Sequence, residues 1–111
     1  MKVGVIILAW NSEKRILDCL NSLNSHCDHF NTYVVDNDSK DNTVQIVKKS
    51  FPNINLILSN SNLGFSGGNN LGFSQAVKDG CDYVLLLNDD VIILEDFISP
   101  LVRKMENDKT I

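Results

Sequence analysis

The pattern that most narrows the possible folds is a short apolar run, then a polar cluster, then a stretch of helical spacing, repeated along the chain. Four runs are rich in Val, Ile and Leu: VGVIILAW at 3–10, TYVVD at 32–36, INLILS at 54–59 and YVLLLN at 83–88. None alternates polar with apolar residues, so each is expected to be an interior strand of a parallel sheet, covered on both faces. Between the first two, Ile16, Leu17, Leu20 and Leu23 recur at i, i+1, i+4 and i+7, with Asn11 or Ser12 to cap the helix they predict. A second helix should open at SKDNT, where Ser39 and Asp41 are capping types, carry Val44, Val47 and Phe51, and stop at Pro52. A third is predicted over 66–78, closed by Gly80, and a fourth from Ser99 with Pro100 in its first turn.

Strand and helix in alternation, joined by right-handed crossovers, predict an α/β chain: a Rossmann-like open parallel sheet with helices on both faces. A length of 111 residues suits one domain, 1–111. WNS, DNDS, NSNLGFSGGNN and NDD then all follow the carboxyl ends of strands, the edge where open α/β sheets bind ligands.

Charge and composition exclude several partners. A net charge of −4 without a basic cluster argues against nucleic acid. The N-terminal apolar run is too short for a membrane span and lacks a cleavage site, so no span is expected. Cys19, Cys27 and Cys81 are odd in number and irregularly spaced, which suits reduced thiols in the cytoplasm.

Of the polar clusters, NDD poses the sharpest physical question, because the adjacent carboxylates of Asp89 and Asp90 repel unless a cation shares them. A turn also favours Asn and Asp, but it does not require two acids directly after three buried leucines. Mg²⁺ would remove the repulsion, since it takes one or two protein carboxylates and completes its shell with phosphate and water. The glycines of NLGFSGGNN form neither G-x-G-x-x-G nor a P-loop, yet they would admit an anion to a helix start; a flexible loop uses the same residues. Asp36 ends a buried strand, where an acid can accept from a ribose hydroxyl or a base N–H, while Asp38 and Ser39 suit capping. His26, Cys27 and His29 lack the second ligand pair that zinc needs and are read as a loop. Trp10 is expected to pack at its strand end.

Taken in order, VIILAWNSEKRILDCLNSL, VVDNDSKDNT, NLGFSGGNNLGF and YVLLLNDDVIL resemble the N-terminal half of family-two glycosyltransferases of GT-A fold, especially the rhamnosyltransferase-like branch. The resemblance implies a nucleotide-sugar donor of UDP or dTDP type, a divalent metal (Mg or Mn), and inverting transfer to a polysaccharide or lipid-linked acceptor. It implies that Trp10 and Asn11 line the nucleotide pocket, that Asp36 contacts the base, and that Asn37 stands where many members carry a second acid. Gly67, Gly68 and Asn70 match the loop that folds over the nucleotide. Asn88, Asp89 and Asp90 match the D-x-D element, with Asp90 the metal ligand and Asp89 beside it serving metal or nucleotide.

In that family the general base comes from the C-terminal half, so 1–111 would be the N-terminal, nucleotide-sugar-binding part of a longer cytoplasmic enzyme, at the inner membrane face when its acceptor is lipid-linked. Asp79, Asp82, Glu95 and Asp96 match no base segment. A bare strand edge would favour a homo-oligomer. The rival reading is a non-catalytic nucleotide-binding or oligomerisation module. A receiver-like signalling domain lacks support, since Trp10-Asn11 and Asn60-Ser61-Asn62 stand where its acids should be.

Overall fold

Strand β1 (Val3–Ala9) sorts its side chains between two helical layers, and that division builds the molecule. The computed structural model describes residues 2–27 and 29–108. Val3, Val5, Ile7 and Ala9 share one core with Ile16, Cys19, Leu20 and Leu23 of α1 (Ile16–Cys27), Val47 of α2 (Thr43–Ser50), and Ile98 and Val102 of α4 (Ile98–Asn107). Ile6 and Leu8 face the other way, toward Ala76 and Leu71 of α3 (Gly64–Lys78). Period-two alternation thus gives helices on both faces, as predicted.

The sheet has four parallel strands in the order β3-β2-β1-β4, where β2 is Asn31–Asp36, β3 Asn55–Leu58 and β4 Tyr83–Asn88. Its register pairs Ala9 with Asp36, Asp36 with Leu58, and Leu8 with Asn88. All four strands therefore finish along one rim. On the α3 side the approach is close, because Gly68, Gly72 and Ala76 recur at i, i+4 and i+8. A Cβ on Gly72 would stand 2.7 Å from Ile6 Cγ2 and 3.0 Å from Val35 Cγ2.

Some expectations need correction. Only β1 and β2 are interior; β3 and β4 are edges, and Leu58 and Leu86 are about half exposed. An apolar run records burial of its two faces but not whether a strand lies beside it. Leu17 turns outward and Cys19 replaces it in the α1 stripe; in α2, Thr43 and Val47 are the buried residues. Helix α3 begins earlier than predicted, at Gly64, whose φ of +74° a glycine adopts without strain.

Candidate site at the carboxyl rim of the sheet

Loops after β1 and β2 are latched together by side chain to backbone hydrogen bonds. Asn11, in the left-handed region at φ +49°, donates its amide N–H to Ser39 Oγ at 2.8 Å and accepts at Oδ1 from the Lys40 amide at 2.8 Å. Ser39 in turn donates its hydroxyl and amide to Asp36, at 2.6 and 3.0 Å. Asp36 is 3% exposed and is held as an acceptor by its own turn. One residue pair later, Asp41 accepts from the Thr43 amide at 3.0 Å and from the Glu13 amide at 3.2 Å. Partial burial pushes the Asp41 carboxyl up, but the bonds from Thr43 and Glu13 outweigh it and hold the group below the ordinary carboxylate range. Asp41 thus caps α2 through Thr43, whereas Ser39 is drawn into the Asp36 turn. Neither Asn11 nor Ser12 caps α1 with its side chain; the Ser12 carbonyl accepts from Arg15 and Ile16 instead, both at 2.9 Å.

Asn37 ties in the third loop. Its Nδ2 donates to Asn62 Oδ1 and Gly64 O, each at 3.1 Å, and its Oδ1 accepts from the Leu63 amide at 2.8 Å. An aspartate could accept from Leu63 but could not donate to Gly64 O, which explains an amide where the resembled family often has an acid. Gly68 lies against Leu8 and the Asn37 amide, and Gly67 against Leu63 Cβ, so packing already demands the absence of a side chain at both. Asn70 is exposed on α3.

Its neighbour Asn69 was missed by sequence reading. It is 6% exposed, a polar side chain secluded where α3 meets the sheet. The i, i+4 line of Gly68, Gly72 and Ala76 is the signal that could have found it, because 69 flanks that sheet-facing row and 70 turns away.

At the end of β4, the NDD carboxylates receive unequal treatment. Asp89 Oδ2 accepts the Ser12 hydroxyl and pairs with Arg15 Nη2 at 3.2 Å. Asp90 is exposed and makes no ion pair or hydrogen bond with another described residue. The cation expected to share the pair is thus partly internal: Arg15 sits against Asp89, where Mg²⁺ was expected to relieve the repulsion. The Asp89 hydrogen bond and charge hold the Arg15 guanidinium above its ordinary range. Beneath the pair, Cys19 Sγ lies 3.8 Å from the Asn88 carbonyl oxygen, and burial, reinforced by Asp89 and Asp90, pushes its thiol up to about 11. The chain beyond is pinned where the Ile93 amide donates to Ser22 Oγ at 2.9 Å.

Trp10, expected to pack at its strand end, is instead 51% exposed beside these loops. Other acids are committed elsewhere. Asp79 accepts from Tyr33 Oη at 2.7 Å and Asp82 from the Lys2 amide at 2.9 Å, near the strand starts. Asp96 caps α4, accepting from the Ile98 and Ser99 amides at 3.0 Å each, and Glu95 is exposed. His29 meets Ser99 rather than a metal-ligand set; among the described residues no group of three His, Cys, Asp or Glu could hold a metal ion. Asp90, with Asp89 in part, fits a cation only as a half-site whose remaining ligands come from phosphate and water. A concavity of about 470 Å³, lined by Phe30, Phe51, Pro52 and Asn55, opens at the opposite edge of the sheet, away from these residues.

Comparison with known proteins agrees with this geometry. The sequence profile of Glycosyl transferase family 2 matches residues 4–111. An uncharacterized glycosyltransferase of Bacillus subtilis, YfnE, is 31% identical over 100% of this chain and 29% of its own length. Poly(ribitol-phosphate) beta-N-acetylglucosaminyltransferase TarS of Staphylococcus aureus is 37% identical over 81% of this chain and 16% of its own. A crystal structure of TarS in complex with UDP superimposes with a TM-score of 0.79 at 32% identity, covering 96% of this chain and 32% of that one; a complex with UDP-GlcNAc gives 0.80. The chain thus spans about a third or less of the length of these relatives.

Proposed function

Since the chain belongs to glycosyl transferase family 2, we propose that it forms the nucleotide-sugar-binding part of an enzyme that transfers a sugar from a UDP or dTDP donor to a polysaccharide or lipid-linked acceptor. The observation that carries this reading is the latch from Asn11 through Ser39 to Asp36, joined along the same rim by Asn37 and Asp89. Asp36, fixed as an acceptor by Ser39, would take a base or ribose hydrogen bond without reorganising. Trp10 and Asn11 would flank the nucleotide, and Gly67, Gly68 and Asn70 would border it from the start of α3, where amide groups and the helix dipole favour phosphate. A divalent metal, Mg or Mn, would sit on Asp90 with Asp89 adjacent, and when bound would stabilise charge developing on the leaving diphosphate.

Transfer would be inverting, with a general base deprotonating the acceptor hydroxyl. None of Asp79, Asp82, Glu95 and Asp96 suits that role, being engaged near the strand starts, at the α4 cap, or exposed beyond the rim. We therefore assign the base to a part of a longer enzyme outside residues 1–111. We place its action in the cytoplasm, at the inner membrane face for a lipid-linked acceptor, on the reduced-thiol reading of its three cysteines. Separately, no helix among the described residues is long and apolar enough to cross a membrane. The rhamnosyltransferase-like branch rests on the motifs alone, while TarS is named for N-acetylglucosamine.

Calorimetric titration with UDP and dTDP, with and without Mn²⁺, tests the reading. Heat that requires Mn²⁺ and disappears in Asp90→Asn is expected; a non-catalytic scaffold would give none. Transfer assays with UDP-GlcNAc and dTDP-rhamnose then separate the donor classes.

A further inference from the structure

One interaction at the rim is left unused by donor binding as described: the ion pair of Arg15 with Asp89. Arg15 precedes α1, and its Nη2 reaches across to Asp89 Oδ2 at 3.2 Å, the same oxygen that accepts the Ser12 hydroxyl. The Asp89 side chain is 17% exposed and the Arg15 side chain 47%. A guanidinium carries five N–H donors; among the described residues Asp89 is the partner of Arg15, whose side chain is about half exposed, and the neighbouring Asp90 is exposed too.

Charge arithmetic gives the consequence. Two carboxylates alone attract a bare divalent cation strongly, whereas with Arg15 beside them the local charge is near −1 and Oδ2 of Asp89 is occupied by two donors. A nucleoside diphosphate brings negative charge of its own, and a guanidinium meets phosphate oxygens in a geometry that suits its planar fork. We infer that Arg15 makes this rim selective for a cation arriving together with a diphosphate over the cation alone. It keeps Asp89 turned toward the β1 loop, leaves Asp90 to face the metal, and offers its open N–H groups to the diphosphate. The inference rests on the nucleotide-sugar reading of the same site.

The test uses the intact protein carrying these residues, with Mn²⁺ alone followed by paramagnetic resonance and UDP followed by calorimetry at saturating Mn²⁺. In Arg15→Gln, Mn²⁺ alone should bind about five-fold more tightly, since a competing exposed charge is gone. UDP with Mn²⁺ should bind about ten-fold more weakly, since a charged phosphate contact is lost. Arg15→Lys, which keeps the charge without the fork, should hold bare Mn²⁺ at the wild-type level and recover part of the UDP affinity. Opposite movement of the two affinities supports the inference, because a purely structural defect would weaken both. Equal movement, or none, in a variant with an unchanged thermal transition overturns it while the donor reading stands. Absence of any Mn²⁺-dependent UDP heat in the wild type overturns both.

Discussion

Asp36 carries two loads at one position, closing its own turn and, on our reading, offering an acceptor to the nucleotide. Asp36→Ala removes both bonds to Ser39, and leaving these groups without their acceptor should cost about 1–3 kcal/mol of stability. Chemical denaturation checks that figure, while Asp36→Asn, which keeps one acceptor, should retain more stability and still lose nucleotide affinity. Cys19 makes a second residue-scale prediction. Its thiol is raised to about 11 in the folded protein by burial, with Asp89 and Asp90 adding to it. The unfolded chain loses that proton at lower pH, so the contribution is complete below the ordinary thiol range and is lost as pH rises toward 11. Thermal melts across alkaline pH should fall more gently in Cys19→Ala, and Cys19 in the native protein should resist alkylation near neutral pH. Unchanged slopes in the variant would count against the assignment. At this scale the sequence pointed to Asp36 and to the acidic pair. It could not show that Arg15, 74 positions from Asp89, shares the pair's charge, because only the folded chain brings them together.

Helix α3 shows how an element can be found by the right residues for a partly different reason. Its glycines drew notice as anion-loop candidates, yet Gly68 and Gly72 let the helix press on β1 and β2, with a would-be Cβ 2.4 Å from Leu8 Cδ1 at Gly68. Gly72→Ala gains helix propensity, but its methyl meets Ile6 and Val35 in a close-packed layer, so a net loss of about 1–3 kcal/mol is expected. A matched change at exposed Ser74 should be nearly neutral, and a denaturant midpoint for each variant distinguishes packing from propensity. Element boundaries were legible within a few residues wherever an apolar run met Asn, Asp, Gly or Pro. The caps were legible only in part: Asp41, one of the two candidates at α2, meets the Thr43 amide, whereas Ser39 is drawn to Asp36 by the loop-to-loop latch and Ser12 serves α1 through its carbonyl.

As a whole molecule, the sheet ends in two unpaired edges, with Leu58 on β3 and Leu86 on β4 about half exposed, and Phe73 and Val77 open on α3. Exposed edge strands with apolar side chains invite pairing. The 111-residue chain should therefore self-associate with concentration in sedimentation velocity, and Leu86→Lys should shift it toward monomer. A monomer at all concentrations would remove this expectation. The isolated chain should show little or no sugar transfer, since Asp79, Asp82 and Asp96 are engaged away from the rim and we assign the base to another part of the enzyme.

What the sequence by itself determined is the periodic skeleton: continuous apolar runs make strands buried on their faces, helical stripes cover them, and polar residues collect where strands end. Those are local consequences of spacing and of which side chains leave water. Lateral strand order, the exposure of Trp10, the seclusion of Asn69, and the division of Asp89 from Asp90 were decided only by tertiary structure. Each depends on groups far apart in the chain competing for the same space, charge or hydrogen bond, and local spacing carries no record of who wins.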